Sequence, residues 1–286
     1  MLVSMKDMLQ HALRDGYAVG QFNINNLEWV GAVLSTAQQC RSPVILGVSG
    51  GTAKHMLGLK CIHDIVVNAM EYLHIDVPVA LHLDHGTSRE ACEAAIAAGF
   101  SSIMFDGSHL PFRENLAITR HLVTLAHSKG ISVEAELGTI AGSEDGIVNS
   151  EVIYADPQEC YTLVTETQVD CLAAALGSTH GLYKGKARLG FTEMKAIAEQ
   201  VKVPLVLHGG TGIADEDMRR AIACGTAKIN VNTENMYAWC QQVKAIFAAD
   251  TGHDVNDPRK VIAQGLQPVR EMIARRMALF GSEQRY

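Results

Sequence analysis

Eight short runs dense in Val, Ile, Leu or Ala recur along this chain of 286 residues, separated by longer stretches with helical spacing. The runs are YAVGQFN (17–23), VILGVS (44–49), VALHLD (79–84), SIMFDG (102–107), SVEAELG (132–138), CLAAAL (171–176), LVLHGG (205–210) and AKINVN (227–232). Unbroken apolar runs of this length suit strands covered on both faces of a parallel sheet. NLEWVGAVLSTAQQCR, SREACEAAIAAG and DEDMRRAIACG carry apolar residues at helical spacing. Gly99, Gly130 and Gly225 supply helix stops, and Pro43, Pro78 and Pro204 each stand just before a strand, where a helix has to have ended. Eight such alternations predict an α/β protein: a (β/α)8 barrel of the TIM type over residues 1–286, with 233–286 as a C-terminal helical extension. A doubly wound open sheet is the alternative, but its Gly-rich first turn is absent.

Composition narrows the function classes. Apolar residues make up 48% and charged residues 19%, as in a compact soluble enzyme. The net charge of −7 argues against nucleic acid as a main partner, because that role calls for a basic face. Seven cysteines without a C-x-x-C pair argue against a secreted disulfide framework and for a reducing cytoplasm. The N-terminal MLVSMKDMLQHALRDG reads as an amphipathic helix, not a leader. No apolar run approaches the ~18 residues of a membrane span.

Polar residues gather at the carboxyl ends of the runs. Asp84 and His85 follow the third, Asp106 ends the fourth, and Glu134 and Glu136 lie on the fifth. His180 follows the sixth, His208 ends the seventh, and Asn230 and Asn232 end the eighth. A barrel brings these ends to one mouth, where its active site is built. Three neutral imidazoles with an open fourth position are a common catalytic zinc arrangement, and His85, His180 and His208 stand at such ends. Period-2 pleating puts His82 and Asp84 on one face, so spacing alone leaves open which histidine of HLDH meets a metal.

Gly-containing turns follow three strands: STHGLYKG (178–185), HGGTG (208–212) and the Thr-capped NVNTEN (230–235). Glycine lets backbone amides approach a phosphate, and a following helix start adds a favourable dipole. HGGTG, with Gly209, Gly210 and Thr211, reads equally well as an ordinary strand-to-helix loop. The stretch GTIAGSEDGIVNS (138–150) is long for a barrel loop and polar, as mobile lids are; Glu144 and Asp145 lie in it.

With HLDHG, DGSHLPFREN, SVEAELG, THGLYKG, VLHGGTG and KINVNTE in this order, the chain resembles the class II ketose-bisphosphate aldolases from FNINN (22–26) to DPRK (257–260). The resemblance implies a zinc-dependent barrel enzyme, with His85, His180 and His208 as ligands of catalytic Zn2+. It implies that Asp84 handles the proton of the aldehyde fragment and Glu144 the proton at the carbon of dihydroxyacetone phosphate. Asp106 and Glu136 match a second metal position, for a divalent ion or a monovalent cation. Gly181, Gly209, Thr211, Asn230 and Thr233 fall on segments that bind the ketone-side phosphate, with Gly210 and Asn232 beside them. Asn23 and Ser49 match polar residues near the same site. Arg259 matches an arginine that reaches the other phosphate from a neighbouring subunit, which implies a homodimer or homotetramer. Ala141 and Ser143 depart from the family's loop pattern.

The implied reaction is reversible cleavage of fructose 1,6-bisphosphate to dihydroxyacetone phosphate and glyceraldehyde 3-phosphate. Tagatose 1,6-bisphosphate, which differs at C4, is the alternative substrate; FDGSHLPF and THGLY lean towards it, and HGGTG and KINVNTE away. A Schiff-base aldolase would need a lysine inside the barrel, and Lys228, at the start of the eighth strand, is placed at the wrong end for it. A non-catalytic phosphosugar-binding regulator is the rival from a different class.

Overall fold

A computed structural model describes residues 1–286 apart from 145, 146, 150, 151, 182, 184 and 251–255, and apart from the side chains of 143, 144 and 147–149. All eight runs are strands: β1 (Val19–Asn23), β2 (Val44–Val48), β3 (Val79–Gly86), β4 (Ser102–Phe105), β5 (Ser132–Leu137), β8 (Cys171–Ala174), β10 (Leu205–Leu207) and β11 (Thr226–Val231). They close into a parallel barrel, β11 pairing with β1 as well as with β10. The remaining strands are short: β6 (Ala141–Glu144) and β7 (Ile147–Asn149) form a hairpin, and β9 (Thr179–His180) runs parallel to β6. This three-stranded sheet over the mouth has no counterpart in the sequence reading. Its strands are too short to show a period.

The helices pack outside. Those that border the site's elements are α2 (Leu27–Cys40), α3 (Gly50–His55), α9 (Asp215–Ala223), α10 (Thr233–Ala249), α11 (Pro258–Gly265) and α12 (Gln267–Phe280). Gly99, Gly130 and Gly225 take positive φ, as expected of stops. α12 packs on α2, α9 and β1, so it fills the place of the eighth barrel helix. Its buried Arg276 donates to both carboxylate oxygens of Glu234, at 2.6 Å each, and thereby ties α12 to the first turn of α10.

Two apolar regions hold the architecture. The larger lies between barrel and helices and takes the outward strand residues, among them Phe22, Leu81, Leu83, Ile103, Val133, Ala135 and Ile229. The smaller fills the lower barrel interior with Val19, Ile45, Ala80, Met104, Cys171, Ala173 and Val206. It is plugged from below by Met5, Met8, Leu9 and Ala12 of α1 (Met5–Asp15). The amide of Met5 donates to Ser132 Oγ at 2.9 Å, and Lys6 reaches the buried Asp170 at 3.3 Å, so the plug is also anchored by polar contacts. Chemistry is thereby confined to the upper end. Leu9 is fully buried in the plug, so Leu9→Ala is expected to lower unfolding free energy by about 2–5 kcal/mol. Urea denaturation checks this value.

Candidate active site and metal centre

β3 shows how the backbone selects one histidine of HLDH. Its interior-facing residues are Ala80, His82 and Asp84, as strict alternation requires. His82 is fully buried and its Nδ1 lies 2.8 Å from Ser102 Oγ. Burial, aided by Lys228, pushes its imidazole well below the usual range, so it is neutral. The pairing of β3 with β4 shifts register between Leu83 and Gly86, and His85 within that bulge has φ +49°. This left-handed turn, uncommon for a non-glycine residue, swings His85 off the outer face and into the mouth. The pleating is irregular at the place where it decides which histidine faces the mouth.

His85, His180 and His208 meet there. Their ring centroids lie 4.6 Å (His85–His208), 5.1 Å (His85–His180) and 5.8 Å (His180–His208) apart. One ligand atom from each falls within 4.8 Å of the others. His85 Nδ1 is engaged by Asp106 Oδ2 at 2.9 Å, and His208 Nε2 by Glu134 Oε1 at 2.8 Å. Each ring therefore turns its other nitrogen to the common centre, a nitrogen donor set that fits a transition metal of the zinc type. A second group, His85, Asp106 and Glu136, satisfies the same spacing. Burial opposes ionisation of Asp106, but hydrogen bonds from His85 and from the amide and hydroxyl of Ser108 outweigh it and hold its carboxyl below the usual range.

Asp84 is 1% exposed, and amide nitrogens from two strands flank it. Asn230 Nδ2 donates to Oδ1 at 3.3 Å and Asn23 Nδ2 to Oδ2 at 3.5 Å. A cleft of about 180 Å³ opens beside the histidines. Asn23, Ser49, His180, Gly181 and His208 line it. Gly209, Gly210, Thr211, Asn230, Asn232 and Thr233 line it as well. The sequence reading missed Asn25, Thr52 and Met236, which also line it. Asn25 belongs to the same FNINN motif, and Thr52 donates its amide to Ser49 Oγ in the first turn of α3. The start of α10 faces the cleft, which adds the positive end of a helix dipole.

Two glycines and one tyrosine hold the rim. Gly209 has φ +65°, and a Cβ there would lie 2.2 Å from the Thr179 carbonyl oxygen. Tyr183 bridges the same two loops: its hydroxyl donates to the Gly209 carbonyl and accepts from the Thr179 amide, both at 3.0 Å. The loops that carry His180 and His208 are thus tied one residue from each histidine. Tyr183 stands in THGLYKG, but nothing in the sequence marks it as a bridge. Gly142 of β6 has φ +108° beside His180, and a Cβ would lie 2.2 Å from the His180 carbonyl oxygen.

Glu144 ends β6, but its side chain lies outside the described residues, as does all of Asp145. Arg259 does not line the cleft; it sits at the start of α11, paired with Asp257 at 3.0 Å and with its side chain 88% exposed. Lys228 is the third residue of β11, fully buried, with Nζ 2.8 Å from Glu134 Oε2. It lies inside the barrel and not at its foot, a correction to the reading of its position. It does not line the cleft either, so it is poorly placed to meet a ketone.

With that geometry in hand, comparison with known proteins is direct. The family model described as fructose-bisphosphate aldolase class-II matches residues 3–285. The chain is 56% identical to a fructose-bisphosphate aldolase of Geobacillus stearothermophilus, covering 98% of this chain and 97% of that one. It is 52% identical to a fructose-bisphosphate aldolase of Staphylococcus aureus, covering 99% of each. Among solved structures it is similar to the YdjI aldolase from Escherichia coli K12, with TM-score 0.86, 32% identity and 99% of both chains covered. The chain belongs to the class-II fructose-bisphosphate aldolase family. The activity that goes with this family is that of an aldolase, a carbon–carbon lyase of carbohydrate metabolism.

The Gly142 contact carries a prediction. Gly142→Ala should part β6 from β9 and speed hydrogen–deuterium exchange at the amides of residues 141–142 and 179–180, read by mass spectrometry. Unchanged exchange there would show that the close approach does not hold the hairpin.

Proposed function

We propose that this chain cleaves fructose 1,6-bisphosphate reversibly to dihydroxyacetone phosphate and glyceraldehyde 3-phosphate, with zinc held by His85, His180 and His208. The observation that carries the reading is the buried Asp84 carboxyl group beside three converging imidazoles, two of which, His180 and His208, line a glycine-rich cleft. The names of the relatives at 52–56% identity support fructose over tagatose bisphosphate.

When bound, zinc supplies a Lewis acid for the negative charge that develops on the ketone fragment. The remaining work falls to side chains and amides of this chain. Asp84, oriented by Asn23 and Asn230, accepts the proton of the C4 hydroxyl as the C3–C4 bond breaks. The aldehyde leaves, and the bonding electron pair remains on C3. Glu144 then delivers a proton to C3, which completes dihydroxyacetone phosphate; condensation reverses each transfer. The amides of Gly209 and Thr211, with the start of α10, bind the ketone-side phosphate; the Gly210 amide is held by the Asn230 carbonyl at 3.0 Å and shapes the turn. Asn23 and Ser49, which line the same cleft, contact the substrate. Asp106 and Glu136 provide carboxylates for a second cation position.

Arg259 is assigned to the other phosphate of a neighbouring subunit's substrate, in a homodimer or homotetramer. Exposed Met236, Tyr237 and Phe247 on α10 support such an assembly. All seven cysteines are free thiols, which supports a reducing cytoplasm as the setting. Among the described residues no helix is long and apolar enough to cross a membrane.

Chelation should abolish cleavage and zinc should restore it; borohydride trapping of substrate on a lysine, with activity surviving the chelator, would overturn the reading. Asp84→Asn is expected to lower kcat by about 10²–10⁴-fold while zinc content stays at the parent level. Resolving the bisphosphates made from dihydroxyacetone phosphate and glyceraldehyde 3-phosphate decides between fructose and tagatose configurations. A chain that binds dihydroxyacetone phosphate without exchanging its C3 proton would be a regulator instead. Arg259→Ala should raise KM for the bisphosphate, and an unchanged KM would remove Arg259 from the site.

A further inference from the structure

One layer below the cleft, the barrel interior holds ionisable groups that the reaction does not use. His82, Glu134 and Lys228 come from β3, β5 and β11, and all three are fully buried. Glu134 Oε2 lies 2.8 Å from Lys228 Nζ and 3.6 Å from His82 Nε2. Its other oxygen, Oε1, lies 2.8 Å from His208 Nε2. None of the three lines the cleft.

A buried ion pair is a poor way to gain stability. Its desolvation cost offsets its attraction, and apolar residues of similar volume serve as well or better. The surrounding interior is apolar, with Ile45, Ala80, Met104 and Val206. Something other than packing therefore accounts for this pair, and His208 is the group it meets.

An imidazole that binds a metal has to present a lone pair, and its two nitrogens are not equivalent. An ionised carboxylate only accepts hydrogen bonds. Contact with Glu134 therefore requires the proton on His208 Nε2 and leaves the Nδ1 lone pair facing the mouth. The other neighbour agrees: Asn230 Nδ2, a donor, lies 3.2 Å from Nδ1. Without a fixed acceptor below it, the ring would be free to carry its proton on the metal side.

We propose that Glu134 and Lys228 form a positioning pair for the metal centre. Glu134 fixes His208 as its Nε2–H tautomer, with Nδ1 offered to zinc, and Lys228, 2.8 Å from the other carboxylate oxygen, keeps that carboxylate aimed at the ring. Asp106 plays the matching part for His85 from the opposite nitrogen, Nδ1. The proposal rests on the reading of His208 as a zinc ligand, and the experiment separates the two. Lys228, weighed above as a Schiff-base lysine, thereby acts through Glu134 and His208 without touching substrate.

Nitrogen-15 NMR of histidine-labelled, zinc-free protein reads the tautomer directly, with the His208 signals assigned by their loss in His208→Asn. The pyrrole-type nitrogen of His208 is expected to be Nε2, and zinc addition to shift Nδ1. A proton on Nδ1, or an average of both tautomers, would overturn the pairing; a clean Nε2–H tautomer with no response to zinc would overturn only the ligand reading. Two double variants supply the second arm, with zinc affinity measured by chelator competition. E134Q/K228M keeps an acceptor under His208 and should bind within about threefold of the parent, whereas E134L/K228M should bind about 10–100-fold more weakly. Equal affinities for the two would contradict the proposal. Should neither variant fold, the NMR measurement on the unaltered chain decides.

Discussion

Closure of eight parallel strands leaves no edge, and it brings eight carboxyl ends to one rim at fixed spacing. The smaller apolar core and the α1 plug seal the lower end, so a ligand has access only from above. Above that seal the interior grows steadily more polar: apolar side chains lie lowest, the His82, Glu134 and Lys228 layer lies over them, and the cleft lies on top. Each polar layer is affordable because the one beneath it supplies partners. Asp106 supports His85, Glu134 supports His208, and the amides of Asn23 and Asn230 support Asp84.

The barrel was legible because eight buried parallel strands leave an unambiguous pattern of apolar runs between helical periods. All eight runs became strands at their expected places. The mouth residues were legible for the same reason, since the end of a strand can be read without knowing its neighbours. Asn23, Ser49, Asn230 and the HGGTG turn all line the cleft.

What resisted reading depends on contacts between distant segments. Period 2 could not choose between His82 and His85, because the choice rests on a bulge and one left-handed residue in β3. Tyr183 acts through two backbone groups that only the folded loops bring together. The β6–β7–β9 sheet is too short to signal itself. Lys228 was misplaced because numbering along β11 does not reveal how deep its long side chain is held by Glu134. The last helix reads from sequence as an appendage, yet α12 packs on β1 and α2 as a barrel helix does.

The central claim is that three imidazole nitrogens, from strands far apart in sequence, hold one zinc ion at the barrel mouth. X-ray absorption spectroscopy of the zinc-loaded protein tests it most directly. The expected spectrum shows a first shell of nitrogen and oxygen donors at about 2.0–2.2 Å, with multiple-scattering features of three imidazoles and no sulfur. A sulfur scatterer at about 2.3 Å, or a shell of oxygen donors without imidazole features, would contradict it.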